Sequence, residues 1–119
     1  MCELKTFYQL LSALSYGKNS AQTAEQLFHK FSNKSLPDFK RKLRVVAQDA
    51  RLAGHWVIGD NSGYYLAVSK SEWQEYRNRR MAAINSELQA IASCDKISLS
   101  DLIKNVYAVS TDDNNYTFF

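Results

Sequence analysis

The stretch SLPDFKRKLRVVAQDARLAGHWVIGDNSGYYLA, residues 35–67, changes its period once, and that change decides the architecture. Ser35 is a side-chain acceptor placed to cap a helix, and Pro37 falls in the first turn, where a missing amide proton costs little. Phe39, Leu43, Val46, Ala47 and Ala50 then share one face at helical spacing, which predicts a helix over about residues 36–53. At 100° per residue the opposite flank collects Lys40, Arg41, Arg44, Gln48 and Arg51. Gly54 supplies a helix stop. Beyond it Trp56-Val57-Ile58 and Tyr64 to Val68 are β-branched and aromatic runs around Gly59-Asp60-Asn61-Ser62-Gly63, which predicts a β-hairpin.

Upstream, Leu4, Phe7, Tyr8, Leu11 and Leu14 recur at three and four, so a first helix is expected from Glu3 to Leu14, closed by the turn residues Tyr16 to Ser20. Thr23-Ala24-Glu25-Gln26 has the form of a capping box and opens a short second helix through Phe31, with Ala24, Leu27, Phe28 and Phe31 inward. Downstream, Ser69-Lys70-Ser71-Glu72 opens a fourth helix through about Ala92. Trp73, Arg77, Met81, Ile84, Leu88 and Ile91 form a stripe along it. Fewer than three heptads favours packing on the chain's own core over a homodimer seam through residues 73–91. Ser98 to Asp101 starts a fifth helix bearing Leu99, Leu102, Ile103 and Val106, and residues 108–119 read as an acidic, mobile tail. The expected organisation is therefore a domain over 1–68, a helical extension over 69–107 and the tail. The fold class is mainly α with a β-hairpin.

The chain has 119 residues, 45% hydrophobic and 23% charged, enough for one core without staples. Cys2 and Cys94 make no disulfide framework, and with only His29 and His55 they offer no zinc spacing, so no metal and no cofactor are expected. No apolar run approaches the ~20 residues of a membrane span, and a basic-then-apolar leader is missing, which together predict a cytoplasmic protein. No nucleophile, base and orienting group have a spacing that ties them to one site, and no glycine-rich phosphate loop occurs. An enzyme is not expected. The net charge of +3 is unevenly spread: +1 over residues 1–33, +5 over 34–80 and −3 over 81–119. A basic middle of this kind suits a surface that faces phosphates. The second basic group, Arg77, Arg79 and Arg80, lies on the fourth helix, with Arg79 expected to pair with Glu75 one turn earlier.

Three helices followed by a hairpin, with the basic third helix running straight into it, resemble the winged helix-turn-helix family over about Glu3 to Ala67. Leu43-Arg44 through Leu52, Gly54 to Gly59 and the return strand Gly63-Tyr64-Tyr65-Leu66-Ala67 are similar to small winged-helix proteins of phage and prophage origin. The resemblance implies double-stranded DNA as partner, the third helix in the major groove and Asp60 to Gly63 as the tip of the wing. The function it implies is a phage-like transcription or replication regulator, with dimers common among such proteins. Arginine forks read guanine O6 and N7 and glutamine reads adenine, so Arg41 and Arg44, then Gln48, are the candidates for base contact. Lys40 and Arg51 are candidates for phosphate, as are Asn61 and Ser62 on a wing tip that carries Asp60 and no cation. Winged helices also dock proteins, so the alternative is an interaction adaptor using its surface or the acidic tail that ends in Tyr116, Phe118 and Phe119.

Overall fold

The computed structural model describes residues 1–105, so the tail and Val106 of the fifth helix lie outside the described residues. The elements run α1 (Phe7–Ala13), a 3-10 turn (Lys18–Ser20), α2 (Ala24–Phe28), α3 (Leu36–Leu52), β1 (Val57–Asp60), β2 (Gly63–Leu66) and α4 (Lys70–Cys94). Residues 99–105 are again helical. The chain is thus mainly helical with one antiparallel hairpin. No helix of the described residues is long and apolar enough to cross a membrane.

The core packs around α3. Phe39, Leu43, Val46, Ala47 and Ala50 are all buried, together with Leu10 and Leu14 from the first helix region, Leu27 and Phe31 from the second, and Val57. Ser35 caps α3 through its hydroxyl, which accepts from the Asp38 amide at 3.4 Å. The capping box of α2 closes both ways, Gln26 N to Thr23 Oγ1 at 3.1 Å and Thr23 N to Gln26 Oε1 at 2.8 Å.

Three expected boundaries shift. The first helix begins at Phe7 and not at Glu3, because the Gln9 side chain reaches back to accept from the Lys5 and Thr6 amides at 2.7 and 3.0 Å and fixes the start there. Leu4 is buried outside the helix, its amide donating to Asn33 Oδ1 at 3.0 Å. With the start moved, Leu10 faces the core and Tyr8 faces solvent. The second helix ends at Phe28, and Phe31 enters the core from the turn that follows. The hairpin is tighter than expected: Asp60 pairs with Gly63, leaving only Asn61 and Ser62 between the strands.

Alternation divides the hairpin between two clusters. Val57 belongs to the helical core, with Tyr64 and Leu66 packed against it, whereas Ile58, Tyr65 and Ala67 join Tyr76, with Trp73 packed against them. Trp56 and Trp73 stack with their rings 6.4 Å apart and 5° from parallel. The beginning of α4 therefore belongs to a compact unit spanning Met1–Tyr76, and a second unit starts at Arg77. Trp73 is thereby spent inside the first unit and is not part of an exposed stripe.

The segment between α1 and α2 lines the outer side of β2. Leu66 N donates to Ser15 O and Gly17 N to Leu66 O, each at 2.9 Å, while Gln22 and Tyr64 exchange bonds of 2.8 and 3.0 Å. Gly63 makes this approach possible. Its φ is +120°, and a Cβ there would lie 2.4 Å from the Gln22 carbonyl oxygen. Gly54 also has positive φ, +94°, but a Cβ there would meet nothing within 4 Å. Gly63→Ala is accordingly expected to destabilise the fold by about 3 kcal/mol and Gly54→Ala by about 1 kcal/mol, conformational strain being common to both and the backbone clash confined to the first. Urea denaturation of the two variants checks the order.

Candidate nucleic-acid interface

With its apolar stripe buried, α3 turns Arg41, Arg44, Val45, Gln48 and Leu52 outward, all of them exposed. The sequence candidates do not form one uniform ridge. Arg44 and Gln48 have no hydrogen-bond or ion-pair partner among the described residues. Arg41 is paired with Asp38 one turn earlier on the same helix. Such an exposed pair is worth less than about 1 kcal/mol and leaves the guanidinium available to a stronger anion.

Lys40 and Arg51 sit on the flank and serve the fold. Lys40 Nζ lies 2.8 Å from Glu25 Oε1 and ties α3 to α2. Arg51 is half-buried; its Nε donates to the Val57 carbonyl at 2.8 Å, and its guanidinium carbon sits 5.8 Å from the centre of the Tyr76 ring. It fastens the end of α3 to the first strand and to the start of α4. Arg51 does not stand out from the helix with Arg44, because a backbone acceptor and an aromatic face lie within its reach.

At the hairpin tip, Asp60 folds the turn. Its Oδ1 accepts from the Ser62 amide at 2.8 Å and its Oδ2 from the Tyr65 hydroxyl at 3.1 Å. The Ser62 amide is therefore engaged and not free for a phosphate, while the Asn61 side chain remains exposed. The acidic residue at the tip has a structural task.

Two parts of this face were not singled out by sequence. Val45 and Leu52 are 51% and 63% exposed on the outer side of α3, apolar residues beyond the buried stripe. The helical projection that isolates the basic flank also places them there. A groove beside α3 is lined by Glu3, Lys5, Asn33, Asp38, Arg41, Lys42 and Val45 among others, so that Lys5, Lys42 and Arg41 border one depression together with the carboxylates of Glu3 and Asp38. Only folding could reveal that convergence, since Lys5 is far away in sequence. On α4, Arg79 forms no ion pair with Glu75, an i,i+4 pair too weak to hold two exposed side chains together. No group of three or more His, Cys, Asp or Glu that could hold a metal ion is gathered among the described residues.

The Lys40 ammonium, hydrogen-bonded to Glu25, holds that carboxyl below its usual range. A carboxyl depressed in the folded state stabilises above its unfolded pKa, and the gain is lost as pH falls through the folded value. Glu25→Gln is therefore expected to lower the thermal midpoint slightly at pH 7 and to matter progressively less as the pH falls through the depressed carboxyl's titration. Calorimetry over that pH range checks this.

The chain matches no protein-family model, no curated protein and no solved structure.

Proposed function

We propose that this protein is a duplex-DNA-binding module of the winged helix-turn-helix kind, a transcription or replication regulator that lays α3 in the major groove. The observation that carries the reading is the outer face of α3, where Arg44 and Gln48 are exposed and unpartnered while the reverse side of the helix is wholly committed to the core. A helix so held presents its side chains at a fixed rotation, as base readout requires. Arg44 has the donor fork for guanine O6 and N7, Gln48 the amide for adenine, and Val45 and Leu52 can lie against thymine methyl groups. Lys42 and Lys5, flanking the groove beside Arg41, suit phosphates, which set register without reading sequence. Lys40 and Arg51 bind phosphate only by sharing themselves with Glu25 and the hairpin. Asn61 and the Ser62 hydroxyl supply the polar contacts of the wing tip.

Val45 and Leu52 also favour the second reading, an adaptor that docks a protein on the same helix face, because exposed apolar side chains suit a protein surface too.

Fluorescence titration against a pool of mixed duplexes at about 50 mM salt separates the two, since binding to phosphates weakens steeply as salt rises. DNA binding is expected, with Arg44→Ala losing about 10- to 100-fold in affinity for the preferred duplex and much of the discrimination between duplexes. Lys42→Ala is expected to weaken all duplexes alike and to reduce the salt slope by about 1. Absence of binding at low salt removes the DNA reading and leaves the adaptor.

A further inference from the structure

From Arg77 to Ile91 every residue of α4 is exposed except Leu88, which is half-buried. Met81, Ile84 and Ile91 expose 59, 43 and 50% of their surface. With Leu88 they lie at steps of three, four and three, one narrow apolar line along the helix. About four turns of helix that bury so little are marginal in water on their own.

The charges along this line are ordered. Arg77 and Arg80 stand at its beginning, Glu87 and Asp95 toward its end. At 100° per residue Arg77 and Asp95 fall on the same line as the apolar residues, one just before them and one just after. Two parallel copies would set Arg77 against Arg77 and Asp95 against Asp95. Two antiparallel copies set unlike charges together and also oppose their helix dipoles.

Three pairs share one midpoint, residue 86: Met81 with Ile91, Ile84 with Leu88, and Arg77 with Asp95. A single antiparallel register therefore closes the apolar line on itself and brings its terminal charges into complementary contact. We infer that residues 77–94 of α4, with Asp95 in the turn just past its end, pair antiparallel with the same residues of a second copy of this chain, about a two-fold axis beside Ser86, making the protein a homodimer. Met81 then packs against Ile91 of the second copy, Ile84 against Leu88, and an Arg77–Asp95 ion pair closes each end. This interface stands apart from the DNA reading and uses none of the residues assigned to it.

The test uses the full chain and exposed residues, so that folding is not at stake. Sedimentation equilibrium at about 100 µM, above the micromolar Kd expected of so small an interface, should give twice the 13.6 kDa chain mass. Arg77→Asp and Asp95→Arg should each raise the dimer Kd about tenfold, and the two together should return it to within about threefold of the parent, as coupled neighbours do in a double-mutant cycle. Circular dichroism confirms that each variant keeps its helix. A monomer at this concentration overturns the inference. A dimer Kd that neither Arg77→Asp nor Asp95→Arg changes overturns it in favour of parallel pairing, where like charges face each other before and after the reversal, and a double variant no better than the singles overturns the register.

Discussion

Burial of one stripe of α3 is the constraint on which the first compact unit depends. Fully burying a residue such as Phe39, Leu43 or Val46 contributes about 1.5–3 kcal/mol each, whereas an exposed ion pair contributes less than about 1 kcal/mol. The apolar stripe, and not the charges, therefore sets the rotation of the helix about its axis. Once that rotation is set, Arg44 and Gln48 have nowhere to point but outward. The surface chemistry of the unit is in this sense a by-product of its core.

The hairpin is bound to this core by residues of three different kinds. Val57 enters the helical core, Ile58 and Tyr65 turn to the opposite side to meet Tyr76, and Arg51 joins α3 to β1 by a charged hydrogen bond to a carbonyl. A charge-assisted bond of this type is stronger than a neutral one. It explains why a cation at the end of α3 is half-buried although Arg44 and Gln48 nearby on the same helix are exposed.

Much of the fold is legible in the residues. The third helix lies where Ser35, Pro37 and Gly54 delimit it, and the hairpin follows where the period changes from helical to alternating. Local signals suffice there, because cap, stripe and stop agree. The start of the first helix is misread for a local reason: Leu4 continues the apolar spacing, but Gln9 caps at Thr6, and the cap prevails over the spacing. The site is less legible. Exposure of Arg41, Arg44 and Gln48 follows from projection alone, whereas the engagement of Lys40 with Glu25, of Arg51 with Val57 and of Asp60 with Tyr65 depends on partners that only tertiary structure brings near. Asp60 reads as an unfavourable charge at a tip and proves to be the acceptor that shapes it. The stripe on α4 divides for the same reason, since Trp73 meets Trp56 while Met81, Ile84 and Ile91 stay exposed.

The segment from Ser15 to Gln22 bears on how the protein avoids unwanted association. An open strand invites a stray chain to add itself through backbone hydrogen bonds, the usual seed of aggregation in small sheets. Here the flank of β2 is already occupied along Tyr64 and Leu66, and on β1, only four residues long, Arg51 takes the Val57 carbonyl. Little vacant backbone is left on either strand for β-augmentation by another chain.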